Sequence, residues 1–266
     1  MTSFPPPLPA PLTLHSIPAP NRPAPKVLDG VGAMIFYFIA QLGLGQVFGW
    51  LARLYVGMST SDPAQIDRAV RQPDVVIVLV VCTLLASCVA TYALVRWRWR
   101  DWMQVSGPGG IGLVRPSGGF MLAGFVFGTF LPVVGALITN MVAQDHEVTQ
   151  AVSELADNAS MGMRFLMLPV VVLAGPFVEE LIFRGALYGT LRARYTAWIP
   201  GTISALVFGM VHLPDLSWAW YAVPNLVLIG ATCAWLRERS GSLWPSIAAH
   251  AVNNALASAA WFVAST

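Results

Sequence analysis

Charge is what this 266-residue sequence has least of. Only 11% of its residues are Asp, Glu, Lys or Arg, while 56% are hydrophobic. A soluble domain carries about 25% charged residues, so a globule of this size would have too little ionic surface to face water. The composition reads as that of a membrane protein. A net charge of +2 with no Lys/Arg block excludes nucleic acid as a partner. The three cysteines, Cys82, Cys88 and Cys233, are odd in number, lie inside apolar runs and lack metal-ligand spacing. They support neither a disulfide framework nor a zinc cluster, and are expected as small core residues. No repeat at a period of 20 to 50 residues is evident, so a solenoid is not indicated. The amino-terminal region also lacks the charged start and short apolar run of a secretory signal, since its first basic residue is Arg22. Nine of its first 26 residues are proline. It is expected to be a flexible, disordered cytosolic tail.

What is abundant is long apolar sequence. A membrane helix needs about 20 mostly apolar residues, each rising about 1.5 Å across a hydrocarbon core of about 30 Å. Seven stretches meet or approach that length: Gly30 to Ala52, Val75 to Val95, Pro116 to Gln144, Phe165 to Leu187, Thr196 to Leu213, Leu216 to Leu236, and Ser242 to Val263. The predicted class is therefore an all-α, polytopic membrane protein with about seven transmembrane helices. Apart from Arg184, alternating the connections between the two sides assigns ten Lys/Arg residues to one side and four to the other. Because basic residues concentrate in cytoplasmic loops, the amino terminus is expected inside and the carboxyl terminus outside the plasma membrane. Trp97, Trp99 and Trp102, Tyr195 with Trp198, and Trp218 with Trp220 sit where aromatic belts are expected. The acidic connection Asp145 to Arg164 is expected as a solvated loop rather than a short helix.

The fourth stretch is anomalous, because it runs into Glu179, Glu180 and Arg184. Pro176 just upstream removes one helix hydrogen bond, so a kink or restart is expected there. Glu180 and Arg184 are four residues apart and can pair on one helix face. Glu179 is turned about 100° away and need not share that partner. A buried ion network alone would explain a single pair. Two carboxylates with one arginine leave an excess charge that is expensive in hydrocarbon, which marks a functional candidate. His212, one turn after Phe208, and His250, one turn before Asn254, fall in the fifth and seventh stretches. Phe208 is expected to pack beside His212. Each of these residues alone is better read as a satisfied core group, but together in a nearly uncharged core they form a candidate site. His15 and His146 are expected to be incidental.

Glu179-Glu180-x-x-x-Arg184, Phe208-x-x-x-His212 and His250-x-x-x-Asn254, in that order, resemble the three motifs of the CPBP family, which includes CAAX prenyl proteases and bacteriocin-processing or immunity proteins. Phe183-Arg184-Gly185 and Gly241-Ser242-Leu243-Trp244-Pro245 resemble the same family. The likeness covers about Gly162 to the carboxyl end. It divides the chain into a tail (1–26), amino-terminal helices and loops (27–161) and a catalytic core (162–266). It implies an intramembrane endopeptidase with a cavity between helices four, five and seven, acting on a membrane-associated peptide or protein, prenylated or not. In that reading Glu179 is the general base, His212 holds or activates the same water, and His250 and Asn254 donate to the oxyanion. Glu180 and Arg184 support. A metal version would use Glu179, His212 and His250 as zinc ligands, although the compact His-Glu-x-x-His helix is absent, so zinc and metal-free mechanisms both stay open. The alternatives are an ion-coupled transporter and a non-proteolytic immunity factor or scaffold. One geometric tension accompanies the reading. Counted from their cytosolic ends at about 1.5 Å per residue, Glu179 and His212 lie roughly 18 to 20 Å deep and His250 only about 10 Å. Straight, upright helices would keep them apart.

Overall fold

The computed structural model describes residues 23–144, 146 and 150–263. The proline-rich tail up to residue 22, with His15, and the acidic residues Asp145 and Glu147 lie outside them. Among the described residues the chain is all-α. Its helices are α1 (Val27–Gly57), α2 (Pro63–Val70), α3 (Pro73–Arg98), α4 (Gly118–Ala143), α5 (Ala151–Asp157), α6 (Met161–Arg192), α7 (Trp198–Val211), α8 (Val223–Ser240), α9 (Trp244–Ser258) and α10 (Ala260–Val263). Helices α1, α3, α4 and α6 are long and apolar enough to cross a membrane. The last three predicted stretches correspond to α7, α8 and α9, which have 14, 18 and 15 residues. At about 1.5 Å per residue the shorter two reach roughly 21 to 23 Å, less than a full hydrocarbon core. The outward faces of α1 and α4 carry Ile39, Leu42, Leu122, Phe130 and Leu137, all exposed, as lipid contact requires.

Polar contacts sort the helix ends into two levels. At one end Arg98 closes α3 onto Asp29 at the start of α1, through bonds of 2.9 and 2.6 Å. The same Asp29 accepts from the Lys26 amide and so caps α1. At the other end the Asp74 carboxylate accepts from the Ser160 amide at 2.8 Å, joining the starts of α3 and α6. Beside that junction Arg164 donates to the carbonyls of Ala159, Asp157 and Trp261, tying α6 to α10. Helix α1 therefore runs antiparallel to both α3 and α6.

Three local expectations are corrected. The acidic connection is not a plain loop: α5 buries Ala156 and packs Val152 and Leu155 against Ile77 and Trp261, an apolar stripe that outweighs the flanking acids. Trp99 is not a belt residue, because it is enclosed with Val95, Met103 and Ile111. Cys82 is exposed, whereas Cys88 and Cys233 are buried, and all three are free thiols.

The connection from α3 to α4 resolves the depth mismatch. It folds inward instead of lying flat at the surface. Gly109 donates to the Gly189 carbonyl at 2.8 Å, and Leu243, just before α9, donates to the Gly112 carbonyl at 2.8 Å. Ile111 packs on Gly185. Arg237 of α8 clamps the turn by donating to the carbonyls of Ser106 and Gly110 at 3.1 and 3.0 Å. Helix α9 thus begins at the level of Gly185, not of Arg192. Six residues separate Gly185 from Glu179, and six separate Trp244 from His250, so both side chains lie about 9 Å further in. A Cβ at Gly189 would come within 2.7 Å of the Gly110 carbonyl oxygen, a backbone contact that cannot swing aside. Gly189→Ala is accordingly expected to cost about 1 to 3 kcal/mol by overpacking and to lower activity with it. Thermal unfolding and turnover measured on the same purified sample check this.

Candidate active site

Helix α6 changes its winding on both sides of the acidic pair. Val170–Ala174 is a π-helical turn, Gly175–Glu180 is α-helical, and Leu181–Leu187 is π-helical again. Such wide turns are rare and recur at functional positions. Here the first has a local cause. In a π turn the carbonyl of residue i bonds the amide of i+5, as Gly175 does to the Val170 carbonyl. The Val171 carbonyl would look to residue 176, which is proline and has no N–H. Asn254 of α9 fills that place, its Nδ2 donating to the Val171 oxygen at 3.0 Å. Asn253 in turn donates to the Asn254 Oδ1 at 3.2 Å, which fixes the way the amide points. A break made by one proline is thus closed from another helix.

The two carboxylates that follow have different fates. Glu180 is fully buried, and its Oε1 accepts from Arg184 Nη1 and from His250 Nδ1, each at 3.0 Å. Glu179, about 100° around the helix, keeps 20% of its side chain exposed. Its Oε2 lies 3.9 Å from His212 Nε2 and 3.7 Å from His250 Nε2. His212 ends α7, and its Nδ1 donates to the Phe208 carbonyl at 2.7 Å. The Phe208 ring is buried and packs on His212 and on the edge of His250, with centroids 4.7 and 5.5 Å away. It also meets the Arg184 guanidinium, 4.5 Å from the ring centroid, in a cation–π contact.

Glu179, Glu180, Arg184, Phe208, His212 and His250 are therefore brought together from α6, α7 and α9. Asn254 stands beside them with its amide turned to α6. His146 is outside the group, donating to the Ala143 carbonyl at 2.9 Å. The sequence reading missed Asn253 and the inward-folded connection with Arg237. Asn253 is the neighbour of a chosen residue, whereas nothing in the spacing of residues 99–117 announces an inward turn.

The tautomers follow from these partners. A carbonyl or a carboxylate can only accept here, so each neutral histidine carries its proton on Nδ1 and turns a bare Nε2 toward Glu179. Three acceptors face one small space. That arrangement suits a water, whose protons they can take, and the residue types also suit zinc. The spacing does not: both rings approach one carboxylate oxygen at 3.7 to 3.9 Å, and no three His, Cys, Asp or Glu side chains among the described residues are arranged to hold a metal ion.

The proline and asparagine make a paired prediction. Asn254→Ala leaves the Val171 carbonyl buried without a donor, a loss of about 1 to 3 kcal/mol. Pro176→Ala restores an amide at the position that carbonyl seeks, so in that background Asn254→Ala should cost clearly less. A double-mutant cycle of thermal stability measures the difference. Additive effects would show that the bond does not compensate for the proline.

Comparison with known proteins bears on residues 161–256, which match the sequence model of the family described as type II CAAX prenyl endopeptidase Rce1-like. The chain is 29% identical over 136 residues to a Bacillus subtilis (strain 168) protein named "Putative membrane peptidase YdiL", a match covering 50% of this chain and 52% of that one. It is 26% identical over 141 residues to the "UPF0177 protein YxdF" of Lactococcus lactis subsp. lactis (strain IL1403), covering 51% of this chain and 72% of the other. The chain thus spans about half the length of the first relative. No solved structure matches.

Proposed function

We propose, from the premise that residues 161–256 belong to the CPBP family of CAAX-type proteases, that this multi-pass membrane protein is an intramembrane endopeptidase. Its substrate is a membrane-associated or lipidated peptide or protein. The protein resides in the plasma membrane with its amino terminus in the cytoplasm, so that the recessed end of α9 faces the cytosol. One observation carries the reading: of two adjacent carboxylates, Glu180 is consumed by Arg184 and His250, while Glu179 is left free and faces two imidazoles.

In this mechanism a water bound between Glu179 and His212 attacks the scissile carbonyl carbon. Glu179 takes the water's proton as the C–O bond forms, and the carbonyl oxygen gains the electron pair. The same proton then passes from Glu179 to the leaving nitrogen. The C–N bond breaks, yielding a carboxylic acid and an amine. The water's second proton, still on the new carboxyl group, passes to the amine to leave carboxylate and ammonium. His250 donates to the oxyanion from Nε2 when its ring carries a second proton there, its Nδ1 proton staying on Glu180. One Asn254 Nδ2 proton holds the Val171 carbonyl and so positions α6, which leaves its second N–H for the oxyanion.

The test is cleavage by the purified full-length chain in liposomes, read by mass spectrometry on prenylated and unprenylated peptides, after dialysis against a chelator. Retained cleavage in the chelated sample is the expected result. Ion-dependent flux without cleavage would instead identify a transporter, and neither activity would leave a scaffold. Comparing peptide termini between wild-type and Glu179→Gln cells then identifies the natural substrate.

A further inference from the structure

We propose that the hydroxyl of Tyr37, on the first helix and outside the three motifs, faces the cavity of Glu179 and donates a hydrogen bond to the substrate carbonyl oxygen as negative charge develops there. The role rests on the proteolytic reading; the placement does not.

The placement follows from helix register. Gly30, Ala33 and Tyr37 form the buried stripe of α1. Gly30 sits directly on α6, where a Cβ would come within 2.6 Å of Thr190 Oγ1 and 2.9 Å of the Ala186 carbonyl. The two helices are antiparallel. Seven residues along α1 rise about 10 Å, and an equal distance back along α6 from Leu187 reaches Glu180 and its neighbour Glu179. Tyr37 accordingly packs in one cluster with Val178 and Ile182, which flank the acidic pair along α6, and with Phe208, which packs on both histidines.

At that place the phenol is 2% exposed. Its ring packs edge-on against Phe38, but its hydroxyl makes no hydrogen bond to any described residue. A buried tyrosine ordinarily finds a partner. The Tyr37 oxygen is also not among the fully enclosed unpaired atoms, so it reaches open space rather than dead packing. The Glu179 carboxylate lies within its electrostatic reach.

Free donors are few at the site. The protons on His212 Nδ1 and His250 Nδ1 are given to Phe208 and Glu180, and one of the two on Asn254 Nδ2 is given to Val171. The two Nε2 atoms are turned toward Glu179. The Tyr37 O–H is uncommitted, and it is contributed by the amino-terminal half of the chain.

Two measurements test this. Tyr37→Phe keeps the ring and removes the donor. It should lower kcat by about 10²- to 10³-fold, as loss of one oxyanion donor does, with KM and the unfolding temperature unchanged. A kcat within threefold of wild type, or a loss confined to KM or to stability, overturns the role. Independently of activity, 3-fluorotyrosine placed at position 37 should change its fluorine resonance when Glu179 is replaced by Gln. An unmoved resonance overturns the placement. If the wild-type chain cleaves nothing, the proteolytic reading fails and the donor role with it, while the fluorine measurement still decides whether the phenol faces Glu179.

Discussion

Glu179→Gln should reduce peptide cleavage by about 10²- to 10⁴-fold, the contribution expected of a positioned general base, and should leave the fold intact. Glutamine has the shape of glutamate but cannot take a proton from water. The stability half of the prediction comes from distances. Glu179 makes no hydrogen bond among the described residues, and the two histidine Nε2 atoms lie 3.7 and 3.9 Å from it. Substitution therefore strands no partner, and it removes a negative charge from a region with two carboxylates and one arginine. Unfolding temperature should stay level or rise. Measuring kcat and thermal unfolding on the same sample separates a lost base from a lost fold. A variant that still cleaves at more than a tenth of the wild-type rate would transfer the base role to another residue.

The contrast between Glu179 and Glu180 was legible in the sequence because it follows from helix periodicity alone. Four residues bring Glu180 to Arg184, and one residue turns Glu179 away. The apolar runs were legible for a similar reason, since hydropathy integrates over many residues, and each run corresponds to a helix. What escaped depends on contacts between distant segments. The shallow position of His250 looked disqualifying because the helix ends were assumed level; the inward fold of residues 102 to 113 onto Gly185 and Gly189 sets the starting height of α9. Pro176 did announce a break, yet its repair by Asn254 involves residues 83 apart in the chain. Trp99 was assigned to an aromatic belt by proximity to Trp97. Residues two apart on a helix point in directions about 200° apart, and here one faces out and the other in.

Arg184→Ala should be the most destabilising single change in the site, by about 3 to 5 kcal/mol, because it leaves the Glu180 charge buried without its arginine. The pair is wholly enclosed, with a single bond of 3.0 Å between Arg184 Nη1 and Glu180 Oε1. Glu180 Oε2 and Arg184 Nε and Nη2 lack hydrogen-bond partners among the described residues. Two desolvated charges held so incompletely gain little net stability over apolar groups of similar size. The double variant Glu180→Leu with Arg184→Met removes both charges and keeps most of the volume, so it should recover much of the stability lost in Arg184→Ala. It should not recover activity. His250 loses the acceptor that keeps its proton on Nδ1 and its ring toward Glu179, and a misplacement of about 1 Å at a reacting group costs about 10²-fold. A double variant that is stable yet slow would assign the ion pair to orienting His250 rather than to holding the helices together. If instead it unfolds as readily as Arg184→Ala, the pair is a structural clamp and the orientation of His250 must come from Phe208.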